Sequence, residues 1–352
     1  MLEFYRNKRV LVTGHTGFKG TWLCKILINA GADVYGYSLD PVTEPNLFNL
    51  TGIEHFITSI IGDIRDLKSL QEVFARYKPE IVFHLAAQPI VRESYKEPVY
   101  TYETNVMGTV NILECVRLNE SVKSIVNVTT DKVYKNREWE WGYRENEELN
   151  GFDPYSNSKS CAELVTQSYK DSFFQKRNVS ISTARAGNVI GGGDFSADRI
   201  IPDCIRAIIK HEKIIVRNPY SIRPYQHVLE PLFAYLMIAE RQYEYKEMAS
   251  SYNIGPNDND CISTGKLVEI FCSSWGNDCQ WEVRGDQGPH EANFLKLDCS
   301  KLKKNYDWTP KWNIDTAVDK TVEWSKCFAN HGDINKMIDN QIYDYLECEY
   351  QK

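Results

Sequence analysis

Residues 9–20 read RVLVTGHTGFKG, a short β-branched run that breaks into three regularly spaced glycines, Gly14, Gly17 and Gly20. The run has the length and composition of a buried strand. The next stretch, up to Gly31, is apolar at helical spacing and stops at a glycine. A strand that turns through glycines straight into a helix leaves little choice of architecture. The helix must lie back over the strand, and the next strand then enters the sheet parallel to the first.

The first half of the chain repeats this unit. Strands are expected at 33–40, 55–63, 80–87, 124–130 and 179–187, with helices at 66–78, 98–119 and 154–174. Such alternation implies an α/β chain with a Rossmann-type doubly wound parallel sheet. Past Gly187 the rhythm loosens, and glycine, proline and tryptophan become frequent, as in GNVIGGGDF and NYDWTPKW. A smaller mixed α/β substrate-binding lobe is expected over 188–224 and 256–352. Residues 225–255, with a helix at 227–242 and a strand at 251–255, are expected to rejoin the sheet of the 1–187 domain.

Charge and cysteine usage narrow the partners. The net charge is -7 with no Lys/Arg cluster, which argues against nucleic acid and anionic membranes. No apolar run is long enough to span a bilayer, and MLEFYRNKRV lacks the apolar stretch of an export signal. Ten cysteines without a C-x-x-C pair read as reduced thiols in packed positions, with no metal. A cytoplasmic protein is expected.

Glycines between a first strand and a first helix let the backbone approach a pyrophosphate, which the helix N-terminus attracts. The same glycines also suit a close-packed turn, and their spacing is G-x-x-G-x-x-G rather than the usual dinucleotide fingerprint. Asp40 ends the second strand twenty residues past Gly20, where a carboxylate can bind ribose hydroxyls; it can equally be a solvated turn residue. No Lys or Arg stands between Tyr35 and Pro45 to neutralise an extra phosphate, so NAD is favoured over NADP. Asp63 ends the third strand, placed for an adenine amino group. The small residues Ala86 and Ala87 end the fourth, and His84 beside them reads as a packed histidine.

Tyr155 and Lys159 stand four apart in YSNSK, on one face of a helix. A phenol ordinarily titrates near about 10, and a neighbouring cation lowers it, which suits removal of a proton from an alcohol. An ordinary amphipathic helix carries the same spacing by chance. NVTTDKVYKN, 127–136, places Thr130, Asp131 and Lys132 just past a strand end, an acid and a base as neighbours.

Together the glycine loop, HLAAQ, TNVMGT, Thr130 and the Tyr155/Lys159 pair resemble the extended short-chain dehydrogenase/reductases that act as NDP-sugar epimerases and dehydratases. GHTGFKGTWL, AAQPIVRESY, TTDKVYKN and RPYQHVLEPL are similar to the 4,6-dehydratase branch, with CDP-glucose as the implied substrate. Relatives acting on TDP-glucose or GDP-mannose usually carry glutamate where this chain has Lys132. The resemblance implies tightly bound NAD held by Gly14, Thr16, Gly17, Phe18, Gly20, Asp40, Asp63, Ile64, Leu85, Ala86, Ala87, Gln88, Thr104, Tyr155 and Lys159. It implies that Tyr155 takes the O4 proton, that Thr130 bonds the same oxygen, and that Asn188 and Arg223 meet the diphosphate. Arg199, His290 and Glu291 are further substrate candidates that solvated surface positions also explain. Tyr225 departs from the family pattern, in which tryptophan is expected. The tryptophans of EWEWGY, 138–143, either line the pocket or cap the core. A homodimer through the helices at 98–119 and 154–174 is implied as well.

Three functions fit these residues: a dehydratase, a 4-epimerase, and a non-catalytic NAD-binding sensor. The epimerase has no use for Asp131 and Lys132, and the sensor has none for an intact Tyr155/Lys159 pair. Lys132 itself reads either as the base for the C5 proton or as a counter-charge to Asp131.

Overall fold

The structure is a computed structural model that describes residues 1–276, 279–285 and 293–348. Its centre is a seven-stranded, all-parallel sheet. The strands β1 (Arg9–Thr13), β2 (Asp33–Ser38), β3 (Thr58–Ile61), β4 (Ile81–His84), β5 (Ser124–Val128) and β6 (Ser180–Ala186) are joined at one edge by Ser251–Ile254. The order across the sheet is Ser251–Ile254, β6, β5, β4, β1, β2, β3. From β1 the chain builds outward through β2 and β3, then crosses back to β4 and builds the other way. The crevice outside the carboxyl ends of β1 and β4 is therefore the topological switch point, where open α/β sheets bind ligands.

Successive strand residues point to opposite faces, so the strands must be apolar throughout. Val10, Val12, Phe83 and Val126 pack with Trp22, Leu23 and Ile26 of helix α1 (Phe18–Asn29) and with the buried helix Leu229–Glu244. Leu11, Val82, Ile125 and Ile181 face the other way, onto Leu70 and Phe74 of Leu67–Tyr77 and Ile112 and Val116 of Gly108–Leu118. A separate apolar cluster under Ile201, Ile205, Leu267, Phe271 and Val318 supports the loops past β6.

Two local departures from the sequence pattern bear on function. β4 stops at His84 instead of continuing to 87, which leaves Leu85 to Gln88 as a loop over the sheet's end. The expected helix at 98–119 carries a π-helical turn, Glu103–Met107, between Pro98–Tyr102 and Gly108–Leu118. The wide turn buries Thr104 and Asn105. Asn105 then donates to the Gln88 carbonyl (3.1 Å) and to Ser158 Oγ (2.9 Å), and accepts from the Gln88 amide (2.8 Å). One side chain thereby ties the β4 loop to the helix that carries Tyr155. All ten cysteines are free, and no described helix is long and apolar enough to cross a membrane.

Candidate active site

One cavity of about 650 Å³ opens at the switch point. Every candidate site residue that the structure describes lines it, from Gly14, Thr16, Gly17, Phe18 and Gly20 through Asp40, Asp63, Ile64, Leu85, Ala86, Ala87, Gln88 and Thr104 to Thr130, Asp131, Lys132, Tyr155 and Lys159. Asn188, Arg199, Arg223 and Tyr225 line it from the other side. His290 and Glu291 lie outside the described residues.

The dinucleotide end is built by close approach. Gly14 sits at φ +75°, and a Cβ there would meet the Ala86 amide nitrogen at 2.8 Å. A Cβ on Gly20 would lie 2.1 Å from the Gly14 carbonyl oxygen, so the loop can fold on itself only as glycine. Gly17 is the N-cap of α1 and offers no side chain to its first amides. Those donors, with the helix dipole behind them, point at the cavity and fit a pyrophosphate. Thr16 Oγ1 bonds the Leu39 carbonyl (2.8 Å) and Ser38 Oγ (2.9 Å), pinning the end of β2 beside the loop and leaving Asp40 exposed at the rim. The Asp63 carboxylate is clamped by Arg65 (2.7 Å), which holds it well ionised. A dinucleotide fits these residues. His84 is a packed histidine, as expected: it shares hydrogen bonds with Thr13 and Thr109, and burial pushes it down to about 3.

The candidate catalytic residues lie just past β5 and on the helix Pro154–Tyr169. Asp153 caps that helix by accepting from the Ser156 amide (2.9 Å), and Pro154 occupies its first turn. At its far end Glu163 is fully enclosed, paired to Arg185 (2.8 Å) and accepting from Thr129 and Thr183. The helix and the strand end are thus locked together one residue before Thr130. Asp131 is buried; Oδ1 accepts from Thr130 Oγ1 (2.9 Å) and Oδ2 from Asn188 Nδ2 (2.8 Å). Two neighbours make this possible. Asn188 holds a left-handed backbone, φ +50°, which asparagine tolerates. Gly187 leaves room: a Cβ there would lie 1.9 Å from Asp131 Oδ1.

Electrostatics differ in one respect from the sequence expectation. Burial pushes the Tyr155 phenol up to about 12, with Thr130 and Arg199 pulling it back. The Lys159 ammonium donates to the Val128 carbonyl (3.1 Å), and burial pushes it down to about 8 against the pull of Glu163. Desolvation therefore outweighs any lowering of the phenol by its neighbouring cation.

Several cavity residues were not among the sequence candidates. Lys19, inside the glycine motif, is pushed down to about 8 by burial and by Arg199 and Lys159, with Asp131 and Asp194 opposing. Arg92, Asp194, Asp198 and Arg217 line the outer part. A lysine in a helix's first turn reads as solvated, so only its place between Gly17 and Gly20 could have flagged it. Tyr225 is buried and shares a hydrogen bond with Thr264 (2.9 Å), a packing contact made at the cavity wall. Trp139 stacks on Tyr143 while Trp141 stays exposed, and neither lines the cavity.

The fold and this cavity define a short-chain dehydrogenase/reductase of the nucleotide-sugar-modifying kind, and the chain belongs to the GDP-mannose 4,6-dehydratase family, whose sequence model matches residues 11–321. Among its relatives is the CDP-glucose 4,6-dehydratase of Salmonella typhimurium, 48% identical over 98% of each chain. The dTDP-glucose 4,6-dehydratase of Bacillus anthracis, solved in complex with NAD, superposes with a TM-score of 0.76 at 22% identity, covering 91% of this chain and 96% of that one. The UDP-glucose 4-epimerase of Thermotoga maritima, solved with UDP-glucose, gives 0.79 at 22% identity over 91% and 99%.

Proposed function

We propose that this protein is an NAD-dependent hydro-lyase that converts CDP-D-glucose to CDP-4-keto-6-deoxy-D-glucose and water. The observation that carries the reading is Asp131 and Lys132 at the cavity end of β5, beside Thr130, Tyr155 and the glycine loop. A 4-epimerase needs the tyrosine, threonine and lysine but no acid and base past them. The 48% identity to a CDP-glucose 4,6-dehydratase supports CDP-glucose as the substrate.

NAD, when bound, would supply the redox chemistry, a hydride acceptor for C4 and a hydride donor for C6. The chain's own residues move protons. Tyr155 takes the O4 proton while Thr130 bonds that oxygen, and Lys159 would hold the nicotinamide ribose. The resulting ketone acidifies C5. Lys132 removes the C5 proton, directly or through an ordered water, and Asp131 protonates the C6 hydroxyl as it leaves. Both Asp131 oxygens accept hydrogen bonds in this state, so the proton it delivers must be taken up within the cycle. The balance closes: protons leave O4 and C5, and two return, one to the departing hydroxyl and one to C5. Gly14, Gly17, Gly20 and the first amides of α1 would hold the cofactor's pyrophosphate, with Asp40 at the ribose. Asn188, Arg199 and Arg223, from the lobe of residues 188–224 and 256–352, meet the nucleotide sugar. The reading carries with it a cytoplasmic homodimer that makes deoxysugar precursors, such as those of lipopolysaccharide O-antigen.

The test is to supply CDP-glucose deuterated at C4 and follow the sugar by NMR. A C6 methyl group carrying the deuterium is expected. A product changed only in configuration at C4 would make the protein an epimerase and end this reading.

A further inference from the structure

We infer that Asp198 is an internal anion that occupies the diphosphate subsite until a nucleotide sugar displaces it, and so sets the protein's affinity for nucleoside diphosphates. The inference rests on the nucleotide-sugar reading of the cavity.

The loop between Val189–Ile190 and the helix Ile200–Ile209 carries two aspartates, and both line the cavity. They are held differently. Asp194 is buried; Oδ1 accepts from the Ser196 amide (3.0 Å) and Oδ2 from Arg199 (3.1 Å). That carboxylate is part of the loop's own construction. Asp198 has a side chain 38% exposed and a left-handed backbone, φ +58°. Its Oδ1 lies 2.7 Å from Arg217 Nη1 and 3.8 Å from Arg92 Nε.

Arg92 belongs to the helix Val91–Lys96, beside the dinucleotide end, whereas Arg217 follows the strand Ile214–Val216 of the lobe. One carboxylate thus joins two guanidinium groups across the cavity, and those groups share it with Asn188 and Arg223, so a nucleotide sugar entering there brings its anionic diphosphate into the same cavity. A part-exposed ion pair in high dielectric is weak. A diphosphate carries more charge and offers several oxygens to a planar guanidinium, so it is the stronger ligand for the same arginine. Asp198 would leave with its loop, and Arg217 would pass from one anion to the other without being exposed unpaired.

Asp198→Asn isolates the charge, because asparagine also tolerates the left-handed backbone. Calorimetric titration with CDP at fixed low ionic strength should give a dissociation constant lower than wild type by about two- to fivefold, the scale of one exposed charge pair. In an Arg217→Gln background the same substitution should give a smaller gain, the part that Arg92 carries. Wild-type protein that binds CDP while Asp198→Asn binds it no tighter overturns this inference alone. So does a gain undiminished by the loss of Arg217. Wild-type protein that binds no nucleoside diphosphate overturns the nucleotide-sugar reading, and this inference with it.

Discussion

Asp131 and Lys132 are chain neighbours with different surroundings. Asp131 is buried between Thr130 and Asn188, while Lys132 is only partly enclosed and faces the same cavity. If Lys132 is the base for C5, Lys132→Ala should still oxidise C4 and then stop. Reduced cofactor and 4-keto sugar should accumulate on the enzyme, with no deuterium entering C5 from heavy water; methyl product at the wild-type rate would leave Lys132 as a counter-charge only. The seat of Asp131 gives a separate prediction. A Cβ on Gly187 would overlap Oδ1 at 1.9 Å, and that backbone cannot yield without moving β6 and Asn188. Gly187→Ala should therefore displace the carboxylate and slow water elimination by about a hundredfold, the usual weight of a positioned acid. Single-turnover spectra should show C4 oxidation surviving better than elimination, and equal loss of both steps would mean general collapse of the site. The cavity positions of Thr130 and Asp131 were legible in the sequence because ligands gather past strand ends, and that of Tyr155 because it stands four residues from Lys159 on one helix face. The need for glycine at 187 was not, since it comes from a neighbour fifty-six positions away in the chain.

The helix Pro154–Tyr169 joins the packed core to the cavity, because its cap, its cavity face and its buried Glu163 pair act on one rigid body. Lys159 has its ammonium pushed down to about 8, and Lys19 on α1 is pushed to the same region. Both values lie below the ordinary lysine value of about 10.4, so the folded protein releases these protons before the unfolded chain does. Their combined contribution to stability therefore rises with pH across that window. Activity depends on both groups. Tyr155 accepts the O4 proton as phenolate, and its value of about 12 makes that form scarcer by about tenfold for each pH unit below it. If catalysis also needs the Lys159 cation, C4 oxidation should rise with pH up to about 8 and level off above it, because loss of the cation offsets gain of the phenolate. Lys19→Met should keep that break, since Lys19 is not its source. A rate that goes on rising to pH 9.5, or a break that vanishes with Lys19, would remove Lys159 from the step. At this scale the sequence was most readable where elements are long and periodic. The strands of the sheet fell close to expectation, whereas Val189–Ile190, Ile222–Arg223 and Gln226–His227 are two-residue strands too short for any periodicity to register. Val189, Ile190 and Arg223 line the cavity, and Arg217 and Asp198 lie in the irregular stretches around them, so both went unseen.

Among the described residues, the group of helices that includes Pro154–Tyr169 leaves an apolar face uncovered. Val99 is 70% exposed, Leu164 57% and Met107 51%, with Leu118 and Phe173 nearby on the same group of helices. Apolar side chains on adjacent helices cluster this way where a partner covers them. The partner we commit to is a second copy of the chain, because a two-fold axis lets one self-complementary patch cover itself. Stable pairing needs about 800 Å² from each copy, within reach of helices of this length. Sedimentation equilibrium at micromolar concentration should give twice the chain mass, 40.7 kDa. Leu164→Glu places a charge that the closed interface cannot hydrate and should give monomers. Leu164 lies two turns and a half beyond Tyr155 on one helix, and Lys159 and Glu163 stand between them. Loss of the partner should therefore loosen the helix that positions the phenol, lowering kcat more than it changes KM for the nucleotide sugar, which the other lobe holds. A wild-type chain that sediments as a monomer would end the proposal at once. A Leu164→Glu monomer with full kcat would keep the dimer but free the active site from it.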